Sequence, residues 1–353
     1  SNGRKVLREK ACQKQKQKFS SSAVYPGCGY VEVMDALVEQ VMEPQSVQPQ
    51  SVNIETFAWG YNGEDKLQGM SEMLQKMGIA VNAYLPAADL QTIKKAPRAA
   101  LNIVRRKKWA LAMEQRFGTP FLHVADMQEW HGIEGISDLY RQIGKMLGCE
   151  DAVERVLQAE YERVASRYQE LRAEFAKYKF CLIAHGIAYL PDALRVYQKD
   201  YGLPIEKICI IMNPSYQAET GLDDAMMQRF KDRIELAKKE YGCDAEILLE
   251  PSEEALREAA QSCDFVICNG HPRYASLNVP VLYNLFDRSV WSYQGFVDIM
   301  EEVWQMLQQP QRTGSSLLLS KLAYDPVFYP MREADKDSKA ARELYSRVWR
   351  QRK

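Results

Sequence analysis

Between Asp264 and Phe296 two short apolar runs each stop in polar residues. The first ends in Asn269-Gly270-His271, and the second, residues 279–282, ends in Tyr283-Asn284. An earlier run, KFCLIAH, ends in His185. In open parallel sheets, ligands sit in the crevice outside the carboxyl ends of the strands. His185, Asn269, His271, Tyr283 and Asn284 are therefore candidate ligand-facing residues. Arg105-Arg106, followed by Lys107-Lys108, stands after another apolar run and opens a predicted helix. Two guanidiniums at a strand end suit a carboxylate or another oxyanion. A solvated basic helix start is the competing reading. The expected site is a crevice between two domains, with Arg105 and Arg106 facing the other strand ends.

The four histidines are His123, His131, His185 and His271. A hydrogen-bonded turn is the ordinary role of any one of them, but three stand at strand ends, which favours at least one lining the crevice. Metal-ligand spacings such as HxxxH and HExxH are absent, as are a Walker loop and a readable nucleophile triad. Trp59-Gly60-Tyr61-Asn62-Gly63 is a glycine-bearing turn but not a dinucleotide fingerprint. The eight cysteines form no CxxC pair, so a reducing compartment is expected rather than a disulfide framework. Cys181, Cys209, Cys263 and Cys268 lie in or beside apolar runs and read as buried small hydrophobes. Cys28, in YPGCGY, reads as a loop thiol and is the one weak candidate metal ligand.

The elements that must position these residues alternate. Strand signals fall at 51–58, 79–85, 98–104, 119–124, 179–185, 205–212, 245–250, 263–269 and 279–284. Helical spacing fills 31–41, 64–77, 105–117, 190–201, 223–241, 252–261 and 294–308. Such alternation indicates βαβ units and a parallel sheet. Residues 133–147 and 151–178 break the pattern as two successive helices, the second long and charged. The expected fold class is α/β, with two consecutive Rossmann-like, doubly wound parallel-sheet domains joined by a long helix. The expected division is a flexible basic arm at 1–22, a first domain at 23–150, a bridging helix at 151–178, a second domain at 179–311 and a helical tail at 312–353.

The 353 residues carry a formal net charge of -1, which gives no nucleic-acid footprint. No apolar run approaches the ~18 residues of a membrane helix, and the basic N-terminus lacks the apolar core of a secretory signal. A cytoplasmic protein is expected. The start at Ser1-Asn2, without Met, reads as a cut point in something longer.

Four stretches in order resemble the component 1 family of nitrogenases, which includes catalytic subunits, assembly scaffolds and the nitrogenase-like reductases of tetrapyrrole synthesis. They are GYVEVMDALVEQVMEP with SVNIETFAWG (29–60), LQGMSEMLQKMGIAVNAYLP (67–86), RAALNIV with MEQRFGTPFLHV (98–124), and the segment from Ser262 to Phe296. The resemblance spans roughly residues 24–310 and implies Rossmann-like domains, of which this chain would begin near the end of the first. It implies as partners a homologous component 1 subunit and an ATP-dependent iron–sulfur reductase. It also implies that the active-site cofactor of a nitrogenase would be held by a cysteine after the "LN" strand and by a histidine before the terminal aspartate. Here those places read Asn102-Ile103-Val104-Arg105-Arg106 and Asn284 ahead of Asp287. Arginine and asparagine are not ligands for such a cluster. The expected function is thus reductive chemistry or cofactor assembly rather than nitrogen fixation. No cofactor is expected in the isolated chain, and an iron–sulfur cluster only in the full complex. The alternative is a non-catalytic module that binds a small anion or a tetrapyrrole. Binding without turnover in the presence of the full partner set would mark that alternative. A two-domain glycosyltransferase is the third reading, weakened by the lack of a sugar-nucleotide motif.

Overall fold

The structure is a computed structural model. It describes residues 26–56, 63–124, 129–187, 189–212, 223–268, 274, 277, 279–283, 285 and 291–308. By contacts these fall into two compact units, one within Ser1–Ala58 and Val81–His123, the other within Trp59–Ala80 and Val124–Lys353.

The first unit is built on a four-stranded sheet. Its strands are β1 (Gln48–Glu55), β2 (Ala80–Leu85), β3 (Ala99–Val104) and β4 (Phe121–His123), in the order β2-β1-β3-β4. Pairing is parallel between β1 and β3 and between β3 and β4. Helix α1 (Pro26–Gln40) packs with the helix that follows β3, Lys107–Phe117. Met34 and Val38 meet Trp109, Ala110 and Met113 there in a buried cluster. The apolar residues of the second helix stand at i, i+1 and i+4, one stripe of a 3.6-residue period. Gly118 ends it at φ +74°, a left-handed closure that glycine reaches without steric cost.

The core of this unit also holds a polar ladder. Asn53 on β1 stands in register with Asn102 on β3. The Asn53 amide donates to Asn102 Oδ1 and to the Ala96 carbonyl, each at 2.8 Å. Asn82 on β2 donates to Asn53 Oδ1, also at 2.8 Å. One asparagine per strand thus links three neighbouring strands. A one-residue slip would strand these amides without partners, so the ladder fixes register as well as satisfying polar groups.

The second unit carries a five-stranded sheet in which every adjacent pair is parallel. Its strands are β5 (Phe180–His185), β6 (Ile205–Ile211), β7 (Glu246–Leu249), β8 (Phe265–Cys268) and β9 (Val281–Tyr283), in the order β7-β6-β5-β8-β9. β5 and β8 are buried on both faces apart from the last residue of β5, as expected for central strands of a parallel sheet. The predicted doubly wound α/β class is therefore what forms, and all nine predicted strands are present.

Numbered in chain order, the remaining helices are α2 (Gly63–Lys76), α3 (Leu90–Lys94), α4 (Lys107–Phe117), α5 (Gly132–Leu147), α6 (Glu150–Phe175), α7 (Leu190–Leu194), α8 (Asp224–Tyr241), α9 (Glu253–Gln261) and α10 (Tyr293–Gln308). α6 packs against α5 and α10, and Arg167 on it grips Glu301 of α10 with Nε at 2.9 Å and Nη2 at 2.8 Å.

Three local expectations are corrected. α1 starts at Pro26, so Cys28 lies in a helical first turn rather than a loop. α4 begins at Lys107, with Arg106 as its cap and Arg105 before it. The expected helix over 190–201 stops at Leu194, and Arg195–Tyr201 continues as a wider π turn. That turn spaces hydrogen bonds at i→i+5, which stacks Arg195 over Asp200, Nη1 to Oδ2 at 2.8 Å.

Candidate functional site

Both sheets reverse their winding direction once. In the first sheet the chain runs from β1 out to β2 and returns to the far side of β1 as β3. In the second it runs from β5 through β6 to β7 and returns to the far side of β5 as β8. The crevice at such a reversal, outside the carboxyl ends, is where ligands of this architecture bind. The relevant strand ends are Glu55 and Val104 in one unit and His185 and Cys268 in the other.

At the first reversal, Glu55 is fully buried. Its Oε2 accepts the backbone N–H of Arg105 at 2.7 Å and of Arg106 at 3.1 Å. The Arg105 carbonyl lies 3.3 Å from His123 Nε2 at the end of β4. Three adjacent strand ends therefore clamp one turn, with a carboxylate on its N–H groups and an imidazole on its carbonyl. The carboxylate takes the two backbone donors that an external anion would otherwise use at this turn. Half-buried Arg105 and exposed Arg106 are both in this unit. Lys108 is turned away to α1. Its Nζ lies 2.6 Å from Asp35 and 3.1 Å from Glu32, and the hydrogen bond to Asp35 raises its pKa.

At the second reversal, His185 is exposed at the tip of β5. Its Nε2 is 2.6 Å from the hydroxyl of Tyr274, which is itself fully buried. Gly186 follows at φ +107° and donates to the Ile211 carbonyl at 3.1 Å. Tyr283 ends β9, in register with Cys268. Asn269, His271 and Asn284 lie outside the described residues. Two members of these sites were not singled out in the sequence. Glu55 carried a signal, a lone carboxylate closing the apolar strand SVNIE. Tyr274 carried none.

The implied iron–sulfur group can be tested against the thiols. Cys149, Cys181, Cys209, Cys243, Cys263 and Cys268 are free and buried. Cys181 and Cys209 lie with their sulfurs 3.8 Å apart, in an apolar cluster with Cys263 and Cys268 under α9. The hydrogen bond with Cys209, and then burial, raises the Cys181 thiol while the same bond lowers Cys209, and burial raises Cys263 and Cys268, the last to about 12. Metal ligation needs thiolates. Among the described residues, no group of three or more His, Cys, Asp or Glu side chains is placed to hold a metal. These residues do not fit such a cluster.

Two parallel sheets, each with one reversal and polar strand ends beside it, define a doubly wound α/β protein with ligand-type switch points. The model of the nitrogenase component 1 type oxidoreductases matches residues 27–308, and the chain belongs to that family. Among solved structures it resembles "Nitrogenase Cp1 at pH 5" with a TM-score of 0.54 and 16% identity, over 85% of this chain and 64% of that one. The structure titled "Nitrogenase Cp1 at pH 6.5" gives 0.51 and 15%, over 80% and 65%. At such identities the likeness concerns the fold. Two curated relatives are each named as one of the subunits of light-independent protochlorophyllide reductase. That of Zygnema circumcarinatum is 31% identical over 99 residues, covering 26% of this chain and 18% of the relative. That of Chlorokybus atmophyticus is 26% identical over 100 residues, covering 27% and 19%. The matched stretch thus spans less than a fifth of either relative. No described helix is long and apolar enough to cross a membrane.

Proposed function

We propose that the chain acts as a nitrogenase-like component 1 subunit, or as a piece of one, in reductive chemistry or cofactor assembly. It works in the cytoplasm beside a homologous component 1 subunit and an ATP-dependent iron–sulfur reductase. The family match over residues 27–308 supports this reading most strongly. The names of the curated relatives, parts of a reductase in both cases, favour a reductive role. Nitrogen fixation is not part of the proposal. Where the resemblance calls for a cofactor-holding cysteine, the chain has Asn102 to Arg106, with the Glu55 carboxylate bonded to that turn. In this reading an iron–sulfur cluster in the complex takes its ligands from beyond Cys149, Cys181, Cys209, Cys243, Cys263 and Cys268. Co-expression with the proposed partners tests the proposal, by whether the chain joins a complex that carries a cluster.

In this reading a carboxylate or similar oxyanion at the strand ends of the first sheet is met by Arg105 and Arg106, and the strand ends of the second sheet offer His185, Asn269, His271, Tyr283 and Asn284 as ligand-facing residues. Arg105→Ala should weaken the binding of a carboxylated ligand by ~1.5–3 kcal/mol, the worth of one charge-assisted contact. Calorimetry measures this directly. Unchanged affinity in Arg105→Ala and in the double variant with Arg106→Ala would leave the arginines as a solvated helix start.

A further inference from the structure

We propose that Cys181 and Cys209 form a two-sulfur site for one soft monovalent metal ion of the copper(I) class, held between β5 and β6. The site lies inside the second unit, away from the strand ends, and does not depend on the reading given to them.

The placement of the two thiols carries the argument. Cys181 stands near the start of β5 and Cys209 in the second half of β6, both fully buried in the apolar cluster under α9. Their sulfurs are 3.8 Å apart. In the parallel register Cys209 stands beside Ile183, two residues beyond Cys181. Neighbouring strands lie ~4.8 Å apart and two residues rise ~6.6 Å, which puts such diagonal Cα atoms ~8 Å apart. A disulfide closes over a Cα separation of ~4.4–6.8 Å. The thiols therefore meet across a diagonal that a direct sulfur–sulfur bond is too short to close. A metal ion between them lengthens the link. Two bonds of about 2.3 Å, the length of a zinc–sulfur bond, span ~4.6 Å in line. From their 3.8 Å contact, the sulfurs need to part by less than about 1 Å to admit one.

The chemistry of the donors selects the ion. Thiolates favour soft metals. Among the described residues, no group of three or more His, Cys, Asp or Glu side chains is placed to hold a metal. That disfavours zinc, which takes four ligands in structural sites. Copper(I), with a filled d shell, is stable with two thiolates in line. The hydrogen bond between the pair keeps the Cys181 thiol up and pulls the Cys209 thiol down, so Cys209 is the first to become the thiolate that a metal needs. Binding is a substitution in which no electron moves. Copper(I) leaves its carrier, takes both sulfurs, and the remaining thiol protons pass to solvent. Cys268 supplies an internal control. It stands beside Ile183 on the opposite flank of β5, in the same apolar cluster, and is not required.

The test supplies copper(I) to the whole chain anaerobically, as its bicinchoninate complex with ascorbate, and reads the loss of the coloured complex. The wild type should take one copper ion at this site, and X-ray absorption should show two sulfur ligands. Cys181→Ala and Cys209→Ala should each lose that copper to the carrier, whereas Cys268→Ala should retain it. Cys181→Ser and Cys209→Ser, closer in volume, serve if the alanine variants fail to fold. A wild type that takes no copper from the carrier overturns the proposal, as does retention of the same copper in folded variants of Cys181 and Cys209. Three or more sulfur ligands on the wild-type copper, or loss in Cys268→Ala, overturn the two-sulfur site whether or not the other variants fold. A Cys181–Cys209 disulfide found by peptide mapping after exposure of the metal-free chain to air overturns the spacing argument.

Discussion

Arg195→Met is expected to cost about 3–5 kcal/mol of folding stability, because it leaves one partner of a buried ion pair behind. Arg195 and Asp200 are both nearly inaccessible. The guanidinium also donates to the carbonyls of Glu129 at 2.9 Å and His131 at 3.1 Å. Losing it takes the charge partner from a buried carboxylate and a donor from each of two carbonyls. Burial pushes Asp200 up to about 6, against the opposing pull of Arg195. With the arginine gone, the carboxyl takes up a proton more readily still. The cost should therefore be largest near pH 8 and smaller at pH 5, where Asp200 can neutralise itself. Urea unfolding at both pH values checks this, and adding Asp200→Asn to the variant should recover much of the loss at pH 8. An equal cost at both values would mean that the pair is not the source.

His131 should make the protein acid-sensitive. It is buried, with Nε2 3.0 Å from the Tyr201 hydroxyl and its ring stacked on Tyr201 and edge-on to Phe296. Burial first, and then the nearby Arg195 charge, pull it down to about 3. The unfolded chain binds a proton at this residue near pH 6.5 and the folded chain does not until about 3. Stability from this group is therefore complete above ~6.5 and falls as pH drops, at about 1.4 kcal/mol per pH unit. Asp200 acts with the opposite sign, since its raised pKa favours the folded state at low pH and that contribution fades as pH rises through about 6. The His131 term is isolated by comparison with His131→Gln, in which Asp200 is retained. Between pH 7 and pH 5 the wild type should lose about 2 kcal/mol relative to that variant. Parallel stability curves for the two proteins would contradict the assignment.

Much of this fold is legible in the sequence, because apolar runs and helical stripes report burial directly. KFCLIAH and CDFVICN are central strands, and their apolar continuity says so. The misread places are those where a side chain far away in sequence decides the local structure. The π turn from Arg195 to Tyr201 has an ordinary helical pattern, and only the pairing of Arg195 with Asp200 against the start of α5 reveals it. Helix α3 has five residues, too few for periodicity. Its visible signal was the cap, Asp89, whose carboxylate accepts from Gln91 at 2.8 Å and Thr92 at 3.0 Å. At the site, strand-end residues such as His185 could be named because strands end visibly. Glu55 and Tyr274, which hold the named residues in place, become apparent only when strand order puts them alongside. The asparagine ladder shows the same limit. Asn53, Asn82 and Asn102 sit in three separate strands, and nothing in the chain announces that they touch.

The most direct test of the central claim is the iron and acid-labile sulfide content of the anaerobically purified protein. It should be measured on the chain alone and after co-expression with a homologous component 1 subunit and an ATP-dependent iron–sulfur reductase. The account predicts no stoichiometric iron in the chain alone, since a cluster takes about four cysteine ligands and the described thiols are not arranged to supply them. It predicts that the chain elutes with its partners in a complex that carries iron, sulfide and their visible absorption. Stoichiometric iron and sulfide in the chain alone, or a chain that elutes by itself from the full set of partners, would contradict it.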